Sequence, residues 1–411
     1  MSLTLVVHAC PQPALYGALA AVAALGASAR LLHLPAIFAP ELGADAMQQV
    51  AAEGALVPSG LLWYERLTGR QITAPSTVPE IVAAALEEEV VVPWHAPVQA
   101  AEELDRLLTL AHARGVRVQH WQVEEHEGAW RLCNLQGEAS PGPWWTRDAA
   151  GRLVRADTVV ESSEGLGGAG SGLRIALIGT ARDQHQVYPA NLAALGDAAD
   201  ALGLGLEIRC IAPRAFVNED LRGLDGVDGV VLPGGSDMGD VPGQLAVAQL
   251  SLRERIPTLG LCLGMQTMAT ALVRRLPGGQ HANLAEADPD ALVRSFVPMA
   301  DTSGLPVHRL GDRPVRVLDP QLAALIGAMP EIRCNHRFRL NPVLLPLLRA
   351  YGVCIAATDL SGQIVDAITY PAHPFYIGMQ GHPEQGSRPD APHPLMTAFL
   401  AAVRQRAARH L

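Results

Sequence analysis

Lysine is missing from this 411-residue sequence, and all 31 basic residues are arginine. That absence excludes mechanisms that need a lysine: a P-loop phosphate lysine, a Schiff base, a Ser–Lys dyad. Genomic bias toward arginine explains the replacement, and the exclusion holds either way. Cysteine pattern excludes more. Cys10, Cys133, Cys210, Cys262, Cys334 and Cys354 contain no CxxC pair, so neither a zinc ribbon nor a thioredoxin-like motif is present. No GxGxxG follows the first strand-like segment. We therefore expect no cofactor and no metal. Positive charge is also short: the net charge is −10, which leaves no electrostatic footprint for nucleic acid or an anionic membrane. The apolar run from Ala14 to Leu25 contains Tyr16 and Gly17, is too short to span a bilayer, and lacks a basic leader. The expectation is a cytoplasmic protein with reduced thiols.

What is present suggests a packed α/β protein. Hydrophobic residues make up 49% and charged residues 18%, which argues against disorder. The length suits two domains. The clearest boundary runs from Ser162 to Gly172, where five glycines and three serines in eleven residues make a tether. It divides the chain into residues 1–161, a linker at 162–172, and residues 173–411. In the second part, strand-like segments at Arg174–Gly179, Leu206–Ile211, Gly229–Leu232 and Thr258–Leu261 alternate with helical ones at Pro189–Leu202, Gly243–Arg255 and Gly264–Leu276. Such alternation predicts a doubly wound, mostly parallel sheet. Shorter β-like segments from about 290 to 370 predict a small antiparallel addition. A last strand ends at Gln380 and a last helix begins at Pro394. The first part reads as a smaller α/β domain: strands at Leu3–Val7, Ala29–Leu34, Val90–Trp94 and Val116–Trp121, with helices at Ala14–Leu25, Val78–Glu89 and Val98–Ala113. His95 follows a strand, and Trp144–Trp145 form an aromatic pair, but neither is assigned a site.

The chemistry concentrates in two motifs. Gly260-Leu261-Cys262-Leu263-Gly264-Met265-Gln266 sits where a strand turns into a helix. A residue there is held in a strained elbow, its side chain exposed above the sheet. The helix N-terminus favours negative charge on a thiol. The flanking Gly260 and Gly264 allow turn and helix to approach closely. Gly381-His382-Pro383-Glu384 follows a later strand. Residues i and i+2 of an extended segment point the same way, so His382 can face the thiol while Glu384 orients the imidazole. Upstream, Gly234 and Gly235 follow a strand, and their amides with that of Leu263 can form an oxyanion hole.

These motifs, in this order, resemble the class I glutamine amidotransferases, and among them the glutaminase domain of CTP synthase. The likeness extends to Asn283-Leu284-Ala285-Glu286, His308-Arg309-Leu310-Gly311, Asn335–Asn341 and the run from Gly381 through His393-Pro394-Leu395. The resemblance implies a flavodoxin-like fold over residues 173–411, with Cys262, His382 and Glu384 as a catalytic triad. It implies glutamine-binding roles for Gly235, Leu263, Gly264, Met265, Gln266, Glu286 and Arg337. Glu286 suits the substrate α-ammonium and Arg337 its α-carboxylate. Departures occur at Gln385-Gly386, Ala287 and Ser236-Asp237-Met238, which alter details of the pocket. Residues 1–161 are too short for the synthetase domain of CTP synthase and hold no phosphate-loop lysine, so the full CTP-forming reaction is not expected of this chain alone. The implied activity is hydrolysis of L-glutamine to glutamate and ammonia through a γ-glutamyl thioester, with ammonia passed to a separate synthase or ligase subunit. Two alternatives stand beside it: a γ-glutamyl peptidase or hydrolase using the same triad, and a catalytically silent regulatory module.

Overall fold

The computed structural model describes residues 1–42, 44–134, 142–157, 172–217 and 221–410. The glycine–serine segment lies outside the described residues except for Gly172. The chain forms two compact units, one of residues 1–167 with 182–193, the other of residues 168–181 with 194–411. The segment after the strand Leu173–Leu177 thus belongs with the first unit, a detour that the sequence pattern does not signal.

The first unit is built on a seven-stranded sheet. Strands β1 (Ser2–Val7), β2 (Arg30–Leu31), β3 (Val90–Trp94) and β4 (Arg117–His126) are parallel, in the order β2-β3-β1-β4. Alternation of side chains divides the core. Leu3, Leu5, Val90 and Val92 meet helices α2 (Val78–Glu87) and α3 (Ala101–Ala113), while Val6, Leu31 and Val91 meet α1 (Ala18–Ala27). Helices therefore cover both faces, as the pattern predicts. The antiparallel extension β5 (Ala129–Asn134), β6 (Trp145–Arg147), β7 (Leu153–Arg155) is not foreseen. Its first turn is Glu127-Gly128, with φ of 48° and 76°. A type I′ two-residue hairpin needs both positions left-handed, and Glu is an uncommon occupant of the first. Residues Ala14–Leu25 form a short 3-10 turn at Pro13–Leu15 and then α1, which begins only after Gly17 at φ 71°. No helix among the described residues is long and apolar enough to cross a membrane.

The second unit carries the nine-stranded sheet that positions the site. Its strands are β8 (Leu173–Leu177), β9 (Leu206–Cys210), β10 (Gly229–Leu232), β11 (Thr258–Leu261), β12 (Arg309–Val317), β13 (Glu331–His336), β14 (Cys354–Asp359), β15 (Val365–Thr369) and β16 (Tyr376–Met379). The order is β9-β8-β10-β11-β16-β15-β14-β12-β13. The first five are parallel and the last four antiparallel. The predicted antiparallel addition is therefore continuous with the main sheet. A separate three-stranded sheet joins Asn283–Leu284, Arg294–Pro298 and Phe338–Leu340.

Helices α4 (Val241–Glu254) and α5 (Leu263–Val273) pack on one face, through Leu245, Ala248, Met265 and Met268 against Ala176, Val230, Leu232 and Tyr376. On the other face, α6 (Pro394–His410) presses Phe399 and Val403 onto Gly229. A Cβ at Gly229 would stand 2.4 Å from Val403 Cγ2. The α/β architecture expected for this part is the one observed.

Candidate active site

Strand pairing brings the two chemical motifs together. β11 and β16 are parallel neighbours with Leu261 opposite Met379, and the Cys262 amide donates to the Met379 carbonyl at 2.8 Å. Residues 262 and 380–382 therefore leave the sheet side by side at the carboxyl ends of the strands, where open α/β sheets bind ligands. Cys262 has φ 50° and ψ −107°, a left-handed backbone for a residue with a Cβ. Such strain persists only where the surroundings enforce it. Here they do. A Cβ on Gly264 would lie 1.9 Å from the Leu232 carbonyl oxygen, and one on Gly260 would lie 2.3 Å from Met268 Sδ. α5 can start directly after the elbow only because both positions are glycine.

The Cys262 thiol is 8% exposed. It donates to the Asn335 carbonyl at 3.6 Å, and Gln380 Nε2 approaches the sulfur at 3.9 Å. The His382 imidazole lies within electrostatic range of the same sulfur. Its Nδ1 lies 2.7 Å from Oε1 of the fully buried Glu384. A carboxylate at Nδ1 fixes the proton there and leaves Nε2 as the nitrogen for proton transfer. Burial disfavours the imidazolium, but the Glu384 charge and then the Cys262 sulfur outweigh it and raise the His382 pKa to about 10. The His382–Glu384 contact arises differently from the predicted extended geometry. Pro383–Gly386 is a 3-10 turn. Pro383 presets the backbone for a turn, which curls Glu384 back beneath the imidazole.

The glycine turn after β10 closes the site. A Cβ at Gly234 would lie 3.0 Å from His382 Cε1 and 3.4 Å from Cys262 Cβ. One at Gly235 would meet only Leu263 Cδ2, at 3.9 Å. Leu263 is the first residue of α5, so its N–H has no acceptor within the helix. The side chains of Leu263 and Met265 belong to the core. Gln266 is 4% exposed, and its Oε1 has no partner among the described residues.

Glu286 and Arg337 are both exposed and lie within charge range of each other. Partial desolvation raises the Glu286 pKa, and Arg337 opposes the rise. The turn holding Glu286 is pinned by Asp288 N–H to Leu284 O at 2.9 Å, and the Arg337 carbonyl accepts from Met299 N–H at 2.8 Å. Arg337 stands two residues from the Asn335 carbonyl that receives the thiol.

Sequence reasoning misses Asn335, Gln380 and Asp366. Cys334, His336 and Asp366 bring possible metal-ligating atoms within 4.8 Å of one another beside the site. The Asp366 carboxylate there binds the Arg309 guanidinium through both oxygens, at 3.0 Å for the Nη2 bond. Arg309 Nη1 also lies 3.5 Å from His336 Nε2. The guanidinium thus supplies the positive charge in this cluster. His95, in the first unit, is saturated: Nδ1 donates to the Cys10 carbonyl at 3.0 Å, and Nε2 accepts from Gly17 N–H at 3.2 Å.

Residues 194–402, just over half of the chain, match the family Glutamine amidotransferase class-I. CTP synthase of Nostoc punctiforme is 36% identical over 240 residues, covering 56% of this chain and 44% of that protein. CTP synthase of Thermosynechococcus vestitus is 34% identical over 253 residues, covering 60% and 47%. The chain thus spans under half the length of these relatives. Among solved structures, the CTPS glutaminase domain of Trypanosoma brucei with bound acivicin aligns with a TM-score of 0.53 at 28% identity, over 57% of this chain and 94% of that one. The chain belongs to the class I glutamine amidotransferases.

Proposed function

We propose that this chain hydrolyses L-glutamine to glutamate and ammonia, with Cys262 as nucleophile, His382 as proton carrier and Glu384 as its orienting carboxylate. The observation that carries the reading is the grouping of sulfur, imidazole and buried carboxylate at the carboxyl ends of β11 and β16, with the imidazole bonded to the carboxylate and within charge range of the sulfur. The Cys262 sulfur attacks the side-chain amide carbon, forming a C–S bond and placing negative charge on the amide oxygen. Backbone N–H groups of Gly235 and Leu263 take up that charge, each contributing about 3 kcal/mol. His382 protonates the departing nitrogen, and ammonia leaves as the C–N bond breaks. The same imidazole then takes a proton from water, which attacks the γ-glutamyl thioester and releases glutamate with the thiol restored.

Glu286 and Arg337 fit the α-ammonium and α-carboxylate of a free amino acid. Their exposure and mutual charge favour glutamine over a γ-glutamyl conjugate. The buried Gln266 Oε1 offers an acceptor to a substrate donor. Ammonia goes, in this reading, to a separate synthase or ligase subunit. Residues 1–161, which belong to the first unit, assist that docking.

An electrophilic glutamine analogue, with adducts located by peptide mass spectrometry, tests the site. Modification at Cys262, slowed by free glutamine, supports it. Modification elsewhere, or none, overturns it. Parallel assays with free glutamine and γ-glutamyl dipeptides test the substrate, and faster turnover of the dipeptides contradicts the glutamine assignment.

A further inference from the structure

The antiparallel extension of the first unit carries an unexplained concentration of hydrogen-bond donors. Trp130 and Trp145 are direct cross-strand partners in β5 and β6, and Arg147 follows Trp145 by two residues. All three side chains therefore stand on one face of the sheet. It is the face covered by α1, since both tryptophans share a core cluster with Tyr16, Ala18 and Ala21. The guanidinium carbon of Arg147 lies 5.8 Å from the centre of the Trp130 ring. Its Nη1 donates to the His185 carbonyl at 2.7 Å. Its Nε and Nη2, and the indole Nε1 of Trp130 and of Trp145, are closed to solvent and without a partner among the described residues. The tryptophans are 6% and 8% exposed.

None of these side chains carries a strong acceptor, so the cluster cannot satisfy itself. Nor does Arg147 have an ion-pair partner among the described residues. The titratable groups in charge range of it are Cys10, whose burial raises the thiol pKa, and His185, whose pKa burial and then the guanidinium lower; neither supplies a negative charge, and the exposed Glu125 is in charge range of Cys10. Water can satisfy an indole N–H, but water does not offset a buried positive charge. A buried cation without a counter-charge costs several kcal/mol. A chain that keeps one, with neutral donors beside it, is suited to an anion that arrives from outside.

We propose that the face bearing Trp130, Trp145 and Arg147 binds a small-molecule oxyanion, a carboxylate or a phosphate, which takes hydrogen bonds from the guanidinium and the indoles. The site lies apart from Cys262 in the chain and stands independently of the amidotransferase chemistry. It makes the first unit a ligand-binding domain.

The test uses the full chain at low ionic strength. Succinate and inorganic phosphate are titrated separately while tryptophan fluorescence and thermal unfolding are followed, with sodium chloride at matched ionic strength as control. One of the two anions gives a saturable fluorescence change and raises Tm by mass action, where chloride does not. Which anion does so distinguishes a carboxylate from a phosphate ligand. Arg147→Met weakens the apparent affinity by about tenfold or more and abolishes the rise in Tm. Without anion its Tm is no lower than that of the native chain, because an unpaired buried charge has been removed. Trp130→Phe keeps the ring and weakens binding severalfold. The proposal is overturned if neither anion gives a saturable response, or if Arg147→Met responds like the native chain. It is also overturned if Arg147→Met lowers Tm while the native chain ignores both anions, which identifies Arg147 as a packing residue bonded to His185.

Discussion

Replacing Glu384 with glutamine isolates the electrostatic part of the proposed mechanism. The substitution keeps shape and volume in a site where residue 384 is fully buried. It removes the negative charge 2.7 Å from His382 Nδ1. That carboxylate is the largest influence holding the imidazole pKa up at about 10 against the opposing effect of burial. A charge-assisted hydrogen bond of this kind contributes about 3 kcal/mol, which by itself corresponds to a rate factor of ~10². The amide also permits the wrong tautomer, with its NH2 donating to Nδ1 and the proton moved to Nε2, where it faces the sulfur. The combined loss is on the order of 10²–10⁴ in kcat. KM for glutamine stays nearly unchanged in the proposed mechanism, which assigns the substrate's α-groups to Glu286 and Arg337 rather than to Glu384. The assay is steady-state glutamate release by the purified variant, with thermal unfolding as a check on folding. A folded Glu384→Gln protein with kcat within about threefold of the native value refutes this reasoning.

Other substitutions separate structure from binding. Gly264→Ala places a Cβ 1.9 Å from the Leu232 carbonyl oxygen, and should lose about 3 kcal/mol or more in urea unfolding, where a loss under about 1 kcal/mol contradicts the packing argument. Gly235→Ala meets only one carbon at 3.9 Å and should unfold within about 0.5 kcal/mol of the native chain. Arg337→Met and Glu286→Gln should raise KM for glutamine by about 10- to 100-fold with kcat far less affected; an unchanged KM removes them from the binding site. Acid stability follows from buried neutral histidines. Burial, foremost, lowers the pKa of His8 and of His336 to about 3. The unfolded chain binds their protons near 6.5 and the folded chain does not, so stability falls as pH drops from about 6.5 toward 3, by up to about 1.4 kcal/mol per pH unit for each. Denaturant unfolding between pH 7 and 4 should show this slope, reduced by about one proton in His8→Asn; a flat profile contradicts it.

Much of the site was legible because its signals are local. Cys262 sits between glycines at a strand-to-helix junction, and a positive φ there is the backbone consequence of that placement. The alternation of strand and helix segments identified the parallel half of the second sheet. The spacing predicts that Glu384 meets His382 along an extended segment; the two are in contact at 2.7 Å, but Pro383 begins a 3-10 turn rather than continuing the strand. What remained hidden depends on distant pairing. Asn335 reaches the thiol only because β13 ends near the elbow, and the adjacency of Asp366 and Arg309 follows from strands that no local periodicity connects. The Trp130–Trp145 pairing was hidden for the same reason, and the neighbouring β4–β5 hairpin turns on Glu127-Gly128 in place of a stronger hairpin signal. The assignment of residues 182–193 to the first unit has no counterpart in composition or pattern.

The central claim is that the sulfur of Cys262 performs the hydrolysis. The direct measurement is the release of glutamate and ammonia from free glutamine by the native chain and by Cys262→Ala, under identical conditions. The account predicts equimolar release of both products by the native protein and neither from the variant above the uncatalysed rate. Equal release by the two proteins contradicts it.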